Sequence, residues 1–230
     1  MAWSSGSNRT PLRDPRTADG RTHVASSFDR NIFVNCPFDD AYLPLLRPLL
    51  FTLIFLGFRP RIASERSDSA ENRIDKICEL VRESRYSIHD LSRMRAGAIG
   101  EFSRMNMPFE LGIEYGCRQF GKAPFDRKRC LVLEREQHEF RKALSDLSGI
   151  DIKSHGEEPE RVVRCVRDWL VETAGLRSAP SATNLWYLFN EFARSFHAAR
   201  TRDGFSDKDL LSMPIPEYIY FIRGWVRQRA

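Results

Sequence analysis

The sequence predicts an α/β fold: a five-stranded parallel sheet covered by helices on both faces, followed by a helical C-terminal extension. Three observations carry this. Five short apolar or β-branched runs alternate with helical patterns between residues 31 and 173, and such alternation produces a parallel sheet. One run, Cys130-Leu131-Val132-Leu133, is continuously apolar, as a strand buried on both faces must be. Beyond a linker at 178–183, the chain offers Leu185, Leu188, Phe189, Phe192 and Phe196 at helical spacing.

The first strand is NIFVN (31–35), ended by Cys36-Pro37. Asp39 or Asp40 can then cap a helix running through the apolar stretch to Leu56, and Gly57 closes it. FRPRIA (58–63) reads as the second strand, with Pro60 marking an edge. After the polar loop SERSDSAE comes a helix with the stripe Ile74, Ile77, Cys78 and Val81. YSIHD (86–90) is the third strand, and a helix over about 107–120 follows a long loop. RCLVLE (129–134) is the fourth strand. A helix across 137–147, a strand GIDIK (149–153) and a helix across 157–173 complete the unit. Right-handed crossovers leave few topologies for this order, and the flavodoxin-like three-layer sandwich leads them.

The domain reading is a disordered tail over 1–30, an α/β domain over 31–177 and a helical extension over 178–230. The tail is rich in Ser, Gly, Pro and Arg and cannot support a core. It has no apolar run resembling a secretory signal. The extension is expected to pack on the main domain, with its aromatics as an alternative surface for homo-oligomer assembly.

Charge excludes less than it first suggests. The net charge is +5, yet residues 31–180 hold 24 basic and 23 acidic groups, so the excess sits at the termini. A nucleic-acid groove would concentrate positive charge on the folded body, which argues against nucleic acid as a partner. The ten-residue run LLFTLIFLGF is too short to span a bilayer, so no membrane role is expected. Five scattered cysteines without a C-x-x-C pair indicate neither disulfides nor zinc and fit a reducing cytoplasm.

In an open parallel sheet, ligands bind beyond the carboxyl ends of the strands. That edge should hold Asn35 to Asp39, Ser64 to Ser69, His89 to Arg93 with Asp90 and Ser92 among them, the start of the 107–120 helix, and Glu134-Arg135. The hydroxyls and carboxylates there suit a sugar, and no phosphate-binding glycine loop is present. The helix pattern Phe109, Gly112, Ile113, Gly116, Cys117 and Phe120 predicts its buried stripe, with the glycines permitting close approach. Glu110 lies at the margin of that stripe in the first turn. With Pro108 at the first helical position it would stand third, where a carboxylate caps free N–H groups and is held ionised. Glu114 is expected to pair with Arg118 on the surface. Asp90 can bond the loop that follows it, and His89 should face the opposite side of the strand, as a core residue. Cys36 has no histidine placed to activate it, and Arg73 and Asp75 read as surface ion-pair members.

A strand ending in Asn-Cys-Pro-Phe-Asp, a strand ending in His-Asp-Leu-Ser, and then Pro-Phe-Glu-Leu-Gly together resemble the nucleoside 2-deoxyribosyltransferase-like and TIR-like superfamily, over about residues 31–173. The resemblance implies a flavodoxin-like fold and cleavage of N-glycosidic bonds, either by deoxyribosyl transfer between bases or by hydrolysis of NAD. It further implies a bacterial role in antiviral defence. Carried over, it makes Glu110 the catalytic nucleophile or oxocarbenium stabiliser. It has Asn35, Pro37, Phe38, Asp39, Asp90, Ser92 and Met107 bind a nucleotide or nucleoside, and Ser67, Asp68 and Ser69 close the rim. NAD would be a substrate rather than a cofactor, and neither a cofactor nor a metal is expected. The approach Asn106-Met107-Pro108-Phe109 departs from the Gly- and Asp-rich approach of the transferases, which bears on base transfer more than on glycosidic cleavage. The alternative is a non-catalytic TIR-like module that senses a nucleotide or assembles with partners.

Overall fold

The computed structural model describes Met1, residues 27–94 and residues 105–229. Most of the predicted tail lies outside the described residues, but residues 27–30 belong to the folded body. They form a helical turn, α1 (Ser27–Arg30), whose Phe28 carbonyl accepts the Arg85 N–H and whose Asp29 pairs with Arg85 at 3.0 Å.

Five strands, β1 (Asn31–Asn35), β2 (Arg59–Arg61), β3 (Tyr86–Asp90), β4 (Arg129–Glu134) and β5 (Ile152–Ser154), form one sheet. Its order is β2-β1-β3-β4-β5 and every pairing is parallel. This is the flavodoxin-like order expected from the sequence. The pleat sorts the side chains: Ile32 and Val34 face one core, while Phe33 packs with Ile77, Leu80 and Val81 on the other.

The first face is covered by α2 (Leu43–Phe55) and α5 (Pro159–Ala174). Ten of the thirteen α2 residues are buried, because α2 touches the sheet on one side and the C-terminal helices on the other; only an apolar helix can lie there. It begins later than predicted: Asp39 accepts the Tyr42 N–H at 3.1 Å, and the helix starts at Leu43. The extension consists of α6 (Ala182–Arg202), α7 (Asp207–Leu211) and α8 (Ile215–Arg227). Phe51 of α2 meets Phe189, Phe192 and Trp225 with ring centroids 5.6–5.7 Å apart, so the predicted aromatic stripe is mostly spent on the core. Among the described residues, no helix is long and apolar enough to cross a membrane.

The second face carries α3 (Arg73–Arg82) and α4 (Asn106–Phe120). The helix predicted at 137–147 is absent. His138 adopts a left-handed conformation (φ 71°) that a right-handed helix cannot absorb. The Glu134 carboxylate takes the Phe140 N–H, leaving two 3-10 turns at Glu139–Lys142 and Ser145–Leu147.

The expected buried stripe of α4 is also displaced. Its buried residues are Met107, Pro108, Glu110, Leu111 and Glu114, whereas Phe109 and Phe120 are exposed. A β-carbon at Gly112 would meet nothing within 4 Å, so that glycine is not there for close packing.

Candidate functional site at the carboxyl edge of the sheet

Two clusters stand where β1 and β3 end, on opposite faces of the sheet. Asn35 organises the α4 side. Its amide nitrogen donates to the Met107 carbonyl and to His89 Nδ1, both at 3.0 Å, and so ties β1 to β3 and to the start of α4. The Met107 carbonyl can only accept, which fixes the amide's orientation. His89 is fully buried and neutral, because burial and the nearby Lys128 push its pKa down to about 3. It faces away from Asp90, into the core, as the strand alternation predicts.

On the α2 side the centre is Asp90, with no exposed surface. Its carboxylate accepts from the Tyr42 hydroxyl, the Ser92 hydroxyl, the Ser92 N–H at 2.8 Å and His155 Nε2 at 3.1 Å. Burial alone would raise its pKa, but the bonds from His155, Ser92 and Tyr42 outweigh it and hold the carboxyl below its ordinary value.

His155 enters through the turn after β5. Gly156 and Glu157 are both left-handed (φ 58° and 61°), which folds the Glu157 N–H back onto His155 Nδ1 at 3.0 Å. That bond leaves the proton on Nε2. Ser92 Oγ lies 2.9 Å from the same Nε2. A nitrogen already bearing its proton cannot take one from Ser92, so Ser92, His155 and Asp90 do not form a serine-nucleophile relay. Their wiring fixes the β3 and β5 ends instead.

Glu110 belongs to the α4 side. It is the fifth residue of α4, past the first turn, so it is not the predicted cap. The residue is 3% exposed. Burial raises its pKa to about 7, partly offset by Arg73, whose guanidinium lies 3.7 Å away. This corrects the expectation of a carboxylate held ionised by the helix terminus: Glu110 lies past the first turn, and desolvation raises its pKa. Cys36 lies in the field of both clusters. Burial, then Asp90, Glu110 and Asp39, raise its thiol well above the ordinary value, which favours the protonated thiol over a thiolate nucleophile.

The remaining predicted residues divide. Pro37 and Met107 are buried, and Phe38 is 36% exposed. Asp39 stands 3.9 Å from Arg93. Ser67, Asp68 and Ser69 form an exposed loop after β2, where Asp68 bonds the Ala70 N–H at 2.9 Å. A cavity of about 400 Å³ opens beside the Asp90 cluster, lined by Tyr42, Leu45, Ser92, Arg93, His155 and Glu157 among others. Of the predicted residues Ser92 and Arg93 line it, and Glu110 does not.

Arg93 lies at the edge where the sequence puts it, whereas Tyr42 and His155 are site residues that the sequence reading does not single out. The carboxyl-edge rule would have found His155, which directly follows β5; nothing in the local sequence marks Tyr42. The expected Glu114–Arg118 surface pair is likewise replaced: Glu114 is 2% exposed and pairs with the buried Lys128 at 3.3 Å. Among the described residues no group of three or more His, Cys, Asp or Glu side chains could hold a metal ion. No protein-family model, no curated protein and no solved structure matches the chain.

Proposed function

We propose that the carboxyl edge of the sheet cleaves the N-glycosidic bond of a nucleoside or nucleotide, with NAD the first substrate to test, and that Glu110 carries the reaction. The observation behind this reading is the buried Glu110 carboxyl in the second turn of α4, whose pKa stands at about 7 beside Arg73. Breaking a C1′–N bond develops positive charge on the sugar, and an ionised carboxylate beneath it stabilises that charge or bonds to it. A pKa near 7 leaves about half of the Glu110 population ionised at neutral pH and half able to donate a proton. Nicotinamide leaves NAD without protonation, so the ionised fraction suffices for that substrate. The motif resemblance supports the same assignment. Asn35 and Asp90 take a changed role: both are engaged by protein partners, and they hold the β1, β3 and β5 ends rather than reach a ribose.

That engagement favours a second reading, in which the edge recognises a nucleotide or assembles with partners without chemistry. The two part at Glu110. Purified full-length protein is incubated with NAD and, separately, with a deoxynucleoside panel and a second base, beside Glu110→Gln. Free nicotinamide from wild type alone supports a glycohydrolase, and a new nucleoside supports a transferase. No product at high protein concentration, with ligand still bound by Glu110→Gln, overturns catalysis in favour of the binding module.

A further inference from the structure

β2 is an edge strand, paired only with β1. A cavity of about 1050 Å³ opens beside it, between the amino ends of β1 and β2, the end of α3 and one flank of α8. Asn35, Asp90 and Glu110 are not among its walls.

Its charge is unbalanced. Five Arg and two Glu line it, a surplus of three positive charges. Both glutamates are spent on Arg61, Glu65 at 2.6 Å and Glu83 at 2.7 Å. Among the described residues no carboxylate pairs with Arg59, Arg82, Arg223 or Arg227. Arg227 Nε donates to the Arg223 carbonyl at 3.2 Å, which leaves its terminal nitrogens for other partners. Arg59, Arg223 and Arg227 lie within one another's fields. Burial, then the charges of Arg59 and Arg227, push the Arg223 pKa below its ordinary value, with Glu65 opposing. Like charges that converge without a counter-charge destabilise the compact state. An anion seated among them reverses that effect, and guanidinium groups take phosphate oxygens two at a time.

The same cavity has an apolar wall. Phe28 and Phe125, edge to face with centroids 6.5 Å apart, line it together with Pro124. Both rings are half-buried. A bare phosphate gains nothing from such a wall, whereas a planar base stacks on it. The volume stands at the upper end of the range of about 300–1,000 Å³ for ligand sites, enough for a whole nucleotide. A polynucleotide fits less well, because it needs a continuous basic stripe and Glu65 and Glu83 interrupt this lining. Residues 1–26, which lead into Ser27 at the cavity wall, carry four Arg against two Asp, so their charge does not supply the missing anion.

We propose that this cavity is a second binding site, separate from the carboxyl edge, for a nucleoside polyphosphate, with the phosphates on Arg59, Arg223 and Arg227 and the base against Phe28 and Phe125.

Calorimetric titration of the full chain with ATP, inorganic triphosphate and adenosine tests this. ATP should bind, inorganic triphosphate should bind about tenfold more weakly for want of stacking, and adenosine should give no measurable heat. Phe125→Leu should bring ATP down toward the level of inorganic triphosphate. Arg59→Gln combined with Arg223→Gln should lower ATP affinity about 100-fold. The double variant should not lower the ligand-free Tm, because the charges it removes repel one another. Glu110→Gln should leave ATP binding intact. No binding of ATP, equal affinity for ATP and inorganic triphosphate, or a lowered ligand-free Tm in the double variant would each overturn the proposal. Binding lost in Glu110→Gln but kept in the double variant would overturn it by placing the nucleotide at the carboxyl edge. A short single-stranded RNA that binds more tightly than ATP would overturn it in favour of a polynucleotide surface.

Discussion

His155 Nε2 donates to Asp90 Oδ2 across 3.1 Å, joining residues 65 apart in sequence, both wholly buried. This bond connects the β5 end to the β3 end, and Tyr42 adds the start of α2 through the same carboxylate. The carboxyl edge is therefore held by one charge with several donors. Such an arrangement is rigid while complete and costly when one donor is lost.

His155→Ala should destabilise the fold by about 1–3 kcal/mol, because it leaves a buried carboxylate short of a donor. Urea unfolding at neutral pH measures this. An unchanged midpoint would mean that Asp90 is satisfied by Tyr42 and Ser92 alone.

Asp90 should also govern stability in acid. Its folded pKa lies below its unfolded value of about 3.9. Its contribution is therefore fully present above that pH and is lost as pH falls toward the folded pKa. Denaturation curves between pH 6 and 2 should show this loss in wild type and a shallower one in Asp90→Asn.

Glu114 acts in the opposite sense. Its folded pKa is raised to about 7 by burial, with Lys128 offsetting part of the shift, against about 4.3 when unfolded. The folded state binds the extra proton between these values, so stability should decline as pH rises from about 4.5 to 7. Glu114→Gln should flatten that decline. Lys128→Met alone should cost about 3–5 kcal/mol by stranding a buried charge, and Glu114→Gln added to it should recover most of the loss. A double-mutant cycle by chemical denaturation reads both.

Glu110→Gln should abolish any glycosidic cleavage. In wild type the activity on NAD should rise with pH along a limb near 7, since the ionised carboxylate is the active form. Arg73 lowers the Glu110 pKa, so Arg73→Ala should move that limb to higher pH. The shift should be modest, because Arg73 is 60% exposed and screened by solvent. A pH–rate profile that ignores Arg73 would detach Glu110 from the limb.

Phe51 joins the α/β body to the extension through rings of α6 and α8. Phe51→Ala should cost about 3–5 kcal/mol. It should also make α6–α8 the first segment cut in limited proteolysis, with cleavage followed by mass spectrometry.

Local hydropathy and the handedness of crossovers are enough to specify the five strands, their parallel order and the buried nature of α2. They also put Glu110 near the start of α4, and Asn35 and Asp90 at strand ends. The remaining features depend on long-range contacts. Hydropathy points α4 toward Phe109, Gly112 and Phe120, yet the helix buries Glu110 and Glu114, since Arg73 and Lys128 come from distant segments to meet them. Periodicity counts a carboxylate as a surface residue and cannot see a partner that only folding supplies. The segment 137–147 reads as helix until His138 turns left-handed and Glu134 takes the Phe140 N–H. His155 is silent in its own neighbourhood, because the carboxylate that gives it meaning lies two strands away. Patterns of burial are local and legible; the pairing of buried charges is a long-range property, and only the folded chain decides it.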